Sequence, residues 1–192
     1  VMLKIKVTFL MLLCILTSRG QDDSLLQANH FSARSISIQT NISTWLLGVP
    51  SLGISYKPSD RLEVMLDGAF SHWKYTKNGL PYYWRNWNIS PQVRTYINAD
   101  KSTYLGLQYS MGQSILSRQL SKYKGGGITI GKQYYAGKKL LIDLGISFGY
   151  LKLTDRFSYT YSNNVYYKNR SKEDLNYWGP TALSIRLSRK VN

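Results

Sequence analysis

The chain has 192 residues and a formal net charge of +15, with 25 lysines and arginines against 10 acids, one cysteine, two histidines, five tryptophans and 16 tyrosines. A single cysteine excludes a disulfide framework, and so few histidines and cysteines leave little from which to build a metal or thiol site. The length suits one domain, and a basic, tyrosine-rich composition fits either a nucleic-acid binder or a protein of a phosphate-rich envelope.

The N-terminal segment points to the envelope. Lys4 and Lys6 precede the apolar run 7–16, and Thr17-Ser18-Arg19-Gly20 then leads to Gln21. A short positive region, an apolar stretch too short to span a bilayer and a small-residue exit are the layout of a secretory signal. The reading predicts a signal peptide over residues 1–20, a periplasmic tail over 21–33 and one domain over 34–192. Cys14 lies inside the apolar run as ordinary filler. Export removes nucleic acid from the expected partners and leaves phosphorylated lipid headgroups and other surface polyanions.

From Ser35 onward the chain alternates apolar and polar residues in eight segments: 36–42, 52–56, 61–70, 89–97, 104–115, 128–134, 140–150 and 181–187. The seventh is the clearest, with Leu140, Ile142, Leu144, Ile146, Phe148 and Tyr150 on one face and Leu141, Asp143, Gly145, Ser147 and Gly149 on the other. Successive strand side chains point to opposite faces, so one face is greasy and the other small or polar. Short turns are expected at 58–60, 98–101 and 136–139, and longer connections at 76–83, 116–124 and 161–174. Alternation of tight turns with long loops is the rhythm of a membrane barrel. The predicted fold class is all-β: an eight-stranded antiparallel up-and-down transmembrane β-barrel.

Periodicity alone does not separate that arrangement from a soluble β-sandwich. Glycines on the polar face (Gly106, Gly112, Gly145, Gly149) suit a narrow lumen. Trp45, Trp73, Trp84, Trp87 and Trp178 fall at strand ends beside the longer connections, and Tyr56, Tyr96, Tyr104, Tyr134 and Tyr135 gather near the opposite ends. Aromatic girdles at both interfaces mark membrane barrels. Eight strands leave an interior just wide enough for side chains. Glu63, Asp67 and Asp143 face it with Arg94 and Arg186, and confined charges must be paired, which predicts an interior salt-bridge network and a plugged lumen.

Ordered short motifs add a resemblance. Gln39-Thr40-Asn41, Pro50-Ser51-Leu52-Gly53-Ile54-Ser55-Tyr56, Ser59-Asp60-Arg61 and Leu66-Asp67-Gly68 are followed by Pro91-Gln92-Val93-Arg94 with Tyr96. Gly145-Ile146-Ser147-Phe148-Gly149-Tyr150 and Tyr177-Trp178-Gly179-Pro180-Thr181 complete the set. In this order they resemble a family of small outer-membrane barrels from Bacteroidota, catalogued as a domain of unknown function. The resemblance covers essentially all of the chain after the leader. It implies a signal peptide, an eight-stranded barrel and an outer-membrane location, and it supplies no catalytic residues. The C-terminal Lys190-Val191-Asn192 departs from an aromatic ending.

Catalysis finds little support in the residues. A hydrolase needs a base beside its nucleophile. His72 lies near an outer strand end where a lipid could reach it, but its neighbour Ser71 faces the other side, and His30 precedes the barrel. No phosphate-cradling loop or nucleophile elbow is present, and Gly125-Gly126-Gly127 reads as a flexible hinge opening the sixth strand. No cofactor is expected. The remaining signal is in the outer loops, where Lys122, Lys124, Lys168, Arg170 and Lys172 occur with Tyr166 and Tyr167. Such groups suit lipopolysaccharide phosphates or acidic glycans. The expected role is non-enzymatic: structural, adhesive or accessory to a surface organelle, with fimbrial proteins as further partners. A lipid-modifying enzyme using His72 and a periplasmic soluble β-sandwich are the alternatives.

Overall fold

The computed structural model describes residues 33–77, 80–98, 100–117, 119–136, 139–162, 165–168 and 174–191. The leader and most of the tail, 1–32, lie outside the described residues. The protein is all-β with one short helix. In chain order the elements are β1 (Ile36–Asn41), α1 (Ile42–Leu46), β2 (Ser51–Ser59), β3 (Leu62–Lys77), β4 (Leu80–Tyr96), β5 (Thr103–Ser117), β6 (Gln119–Tyr135), β7 (Leu140–Ser162), β8 (Val165–Lys168) and β9 (Leu175–Lys190).

All pairings are antiparallel, and the ladder closes on itself. Each of β1 to β6 pairs with the next, β6 pairs with β7, β7 with β9, and β9 returns to β1 through Thr40 opposite Leu187. Eight of the nine strands therefore form a ring of hydrogen bonds, and β8 is a short addition on the outer stretch of β7. Closure removes the free edges that an open sheet would carry along its length.

Burial along the strands is inverted relative to a water-soluble protein. Met65, Ala69, Tyr96, Tyr104 and Leu141 are the buried hydrophobic residues, whereas Ser37, Gln39, Ser55, Lys57, Glu63, Gln92, Arg94, Thr129, Asp143, Ser184 and Arg186 are among many buried polar ones. Leu52, Ile54, Val64, Leu66, Phe70, Ile89, Val93, Leu107, Ile128, Ile130, Leu144, Phe148 and Leu183 are exposed. On β7 the two faces separate residue by residue: Leu141, Asp143, Gly145 and Ser147 inward, Leu144, Ile146 and Phe148 outward. This is the alternation that the sequence displays.

One end of the ring is closed by tight turns. Asp60-Arg61 joins β2 to β3, where Asp60 Oδ1 accepts from the Ala33 amide at 3.1 Å and Oδ2 meets Lys101 Nζ at 2.9 Å. The hydrogen bond from Lys101 holds the Asp60 carboxyl below the usual carboxylate range. Between β4 and β5 the Lys101 amide donates to Asn98 O at 3.0 Å, with Lys101 at φ +54° and Ser102 Oγ donating to Asp100 at 2.7 Å.

The other end differs from the expected long loops. Residues 76–77 pair with 81–80, and Leu116 pairs with Gln119, so β3–β4 and β5–β6 are long hairpins rather than strands joined by flexible loops. The tyrosines, tryptophans and threonines of these stretches are strand formers, and lysines between them do not stop a ladder. Lys122 and Lys124 accordingly lie within β6, not in a loop. The β1–β2 connection holds α1. Asn41 Oδ1 accepts from the Ser43 amide at its start and also from the Ile185 amide at 3.2 Å, which ties the helix to β9.

Gly125-Gly126-Gly127 is not a hinge. It sits inside β6, opposite Leu151, Tyr150 and Gly149. A Cβ on Gly127 would collide with the Phe148 carbonyl, and one on Gly149 with the Gly126 carbonyl. The glycines let the facing backbones of β6 and β7 approach closely.

Candidate functional site

Two groups of side chains set the chemistry: a polar network that crosses the interior and a basic zone on the outward face of the long hairpins.

The interior network is built by strands on opposite sides of the ring. Arg94 from β4 reaches Asp143 of β7, Nη1 to Oδ2 at 2.5 Å, and stands 3.6 Å from Glu63 of β3. Arg186 from β9 reaches Asp67 of β3 through Nε at 3.1 Å and Asp143 Oδ1 at 3.7 Å. Neutral groups satisfy the remaining lone pairs. Tyr104 Oη donates to Asp143 Oδ1 at 2.8 Å, Gln133 Nε2 to Asp143 Oδ2 at 3.1 Å, Gln39 Nε2 to Asp67 Oδ1 at 2.8 Å and Tyr96 Oη to Glu63 Oε2 at 2.5 Å. The Arg94 guanidinium lies 4.0 Å from the centre of the Tyr104 ring, and Lys57 Nζ lies 4.1 Å from that of Tyr96.

Lys57, Arg94 and Arg186 thus balance Glu63, Asp67 and Asp143 in charge. Burial of ions is costly, and opposite charges with hydrogen bonds are what make it tolerable. Among the described residues, Arg94 Nε and Gln92 Nε2 are the buried nitrogens of this network left without a hydrogen-bond partner. Tyr104 fits because Gly131 and Gly145 leave room for its hydroxyl end, where a Cβ on either would collide. Toward the hairpin end the network continues in neutral groups: Thr129 and Ser147 hydroxyls 2.7 Å apart, Ser147 Oγ donating to Gln108 at 3.0 Å, and Ser90 beside Ser110 at 2.8 Å.

Lys57, Tyr96, Tyr104 and Gln133 are the members that sequence reasoning missed. Tyr96 and Tyr104, expected at a rim, are 3 % and 0 % exposed and point inward. The signal was available in the alternation itself: Tyr96 shares parity with Gln92 and Arg94, Tyr104 with Gly106 and Gln108, and Lys57 with Gly53 and Ser55.

The same parity corrects the tryptophans. Trp87 and Trp178 face outward, beside Phe70 and Tyr150 respectively, and the Tyr150 and Trp178 rings lie 5.2 Å apart. Trp73 and Trp84 are opposite one another on the face that continues from Glu63 and Arg94, so they line the inner side of the hairpin wall and belong to no outer girdle. Tyr75 and Tyr82 stack beyond them at 5.3 Å. Trp45 belongs to α1, where its indole donates to Thr40 Oγ1 at 2.8 Å.

On the outward face β3, β4 and β7 pass from apolar through aromatic-ring to basic residues: Phe70, His72, Lys74 on β3; Ile89, Trp87, Arg85 on β4; Phe148, Tyr150, Lys152 on β7. On β6, Ile130 and Ile128 are followed by Gly126, Lys124 and Lys122. Arg85 and Lys74 share the Tyr83 ring at 4.9 and 5.9 Å. Lys122 donates to Asp155 at 2.7 Å, a hydrogen bond that lowers the Asp155 carboxyl below its ordinary range, and Lys152 stands 3.5 Å from Asp174. Among the described residues no carboxylate lies within ion-pair distance of Lys74, Arg85 or Lys124. Lys168 and Tyr167 are on β8, with Lys168 Nζ 3.5 Å from the Phe157 ring centre. Arg170, Lys172 and the Tyr166 side chain lie outside the described residues.

His72 is exposed with Arg85 as its cross-strand partner, while Ser71 is buried on the inner face. Among the described residues no cluster of potential metal ligands is present and no helix is long and apolar enough to cross a membrane, which leaves crossing by strands open.

Comparison with known proteins gives one finding. The family described as "Protein of unknown function (DUF3575)" matches residues 7–189, and the chain belongs to it. Neither the curated proteins nor the solved structures contain a match.

Proposed function

We propose that this member of the family is an eight-stranded transmembrane β-barrel of a Gram-negative outer membrane, exported by its signal peptide. Its role is non-enzymatic, structural or adhesive, with the basic hairpin ends held against phosphates of lipopolysaccharide or acidic glycans. The observation that carries the reading is the inverted burial. Leaving a Leu, Ile, Val or Phe side chain in water instead of burying it forgoes about 1.5–3 kcal/mol each. Some twenty such side chains on one continuous outer surface find their natural solvent in lipid. A soluble β-sandwich would place those residues between its sheets, and here the enclosed space is filled with paired ions.

The order along the outward face supports the leaflet contact. Aromatic residues sit where headgroups begin, and the cations lie just beyond. Lys74, Arg85 and Lys124 supply positive charge that no described acid answers, and lipid phosphate is a suitable counterion. Against an enzymatic role stand the pairing of His72 with Arg85 across the ladder and the separation of Ser71 onto the other face.

Replacing Lys74, Arg85, Lys122 and Lys124 together with glutamine tests the contact. Exposed charges contribute little to stability, so the ring is expected to stay intact. Binding of purified lipopolysaccharide by the wild type should weaken as salt rises, and the variant should lack that salt-sensitive part. Equal binding by both proteins at low and high salt would remove the leaflet contact from the account.

A further inference from the structure

The hairpin end is not a level rim. β2 begins at Ser51, whose partner on β3 is Ala69, whereas β3 and β4 continue together to Lys77 and Leu80. Residues 70–77 of β3 therefore pair with β4 on one side and with no described strand on the other, where the α1–β2 connection touches the start of the edge through the Trp73 indole, which donates to Gly48 O at 2.6 Å. The Phe70 amide shows which main-chain groups this leaves over. It donates to Pro50 O at 3.0 Å, on the side away from β4. Successive residues of an antiparallel strand direct their N–H and C=O to alternate sides. His72, Lys74 and Thr76 consequently turn theirs outward from the sheet edge, while Trp73 and Tyr75 bond to β4.

The edge Phe70-Ser71-His72-Trp73-Lys74-Tyr75-Thr76-Lys77 is rich in strand formers and contains no proline. The strand on the far side of the gap, β9, has a bulge opposite Ser147-Phe148 and carries Pro180, which has no N–H to offer, beside Gly179 at φ +151°, so the two edges are not equivalent. We propose that the β3 edge is a docking site for an extended segment of another polypeptide, which adds as a further strand and alternates acidic with apolar side chains. Residues directly opposite in a ladder share a face. Those meeting His72 and Lys74 would lie beside Arg85 as well, a cationic strip that selects acids. Those meeting Trp73 and Tyr75 would lie on the aromatic inner face, where apolar or aromatic side chains stack. Addition of a strand to an exposed edge draws affinity from main-chain hydrogen bonds and specificity from the alternate side chains. A second copy of this chain is a poor occupant, because antiparallel pairing centred on Lys74 opposes that lysine to itself. The docking edge is defined by the strand ladder and does not depend on the membrane placement.

The test uses the whole chain in detergent micelles with a short capped peptide alternating glutamate with valine and phenylalanine. Bound peptide should slow amide exchange at His72, Lys74 and Thr76 by about tenfold or more and leave Trp73 and Tyr75 unchanged. Lys74→Gln keeps the amide and should lose only the salt-sensitive part of the affinity, whereas Lys74→Pro, tolerated at a sheet edge, should weaken binding by at least about tenfold further. A peptide with lysine in place of glutamate should not bind. Unchanged exchange at the three amides under saturating peptide, equal affinity of the proline and glutamine variants, or dimers formed through β3 without peptide would each overturn the proposal.

Discussion

Asp143 accepts from Arg94, Tyr104 and Gln133 and faces Arg186 across 3.7 Å, so four strands converge on one carboxylate. Removing Arg94 would leave Asp143 with its weaker partner and Glu63 with none of its guanidinium contact. Breaking a buried pair from one side costs about 3–5 kcal/mol, much of it the penalty of the orphaned charge. Arg94→Ala should therefore lower the unfolding midpoint in micelles sharply, and Arg94→Met with Asp143→Leu should recover a good part of that loss. A double variant no more stable than Arg94→Ala alone would mean that the pair does not carry the coupling assigned to it. Five charged members of this network, Glu63, Asp67, Arg94, Asp143 and Arg186, were legible from alternation and from the need of confined charges to pair. Lys57, Tyr96 and Tyr104 were passed over because amphipathic side chains suit either a rim or an interior. Strict parity with their neighbours decides for the interior.

At the scale of elements, β7 separates the two environments most cleanly. Leu144 is 40 % exposed on the outward face and its neighbour in type, Leu141, is 2 % exposed within the interior. If the outward face meets acyl chains, Leu144→Arg should cost about 2–4 kcal/mol near the bilayer midplane. Its cost should fall away in a water-soluble environment that solvates the new charge. Leu141→Arg should instead destabilise in both environments, since it crowds a filled interior and unbalances its charges. Equal behaviour of the two variants in lipid would contradict the facing. The central stretches of all eight ring strands could be read from periodicity, and their outer extensions could not. Lysines among tyrosines look like solvated loops in composition, yet residues such as Lys122 and Tyr123 still alternate faces and continue the ladder. The helix α1 was missed because its five residues, Ile42–Leu46, are too few for a 3.6-residue period to show. The capping asparagine was its one local mark.

The whole molecule is a sheet turned inside out: paired ions within, aliphatic side chains around, cations at the hairpin end. The most direct test is a scan of single spin-labelled cysteines along residues 140–150 in lipid bilayers, comparing collisions with dissolved oxygen and with a water-soluble nickel complex. Labels at 142, 144, 146 and 148 should show high oxygen and low nickel accessibility, and labels at 141, 143, 145 and 147 should be shielded from both. Nickel accessibility at the even positions, or no alternation at all, would contradict a lipid-facing surface and with it the membrane barrel.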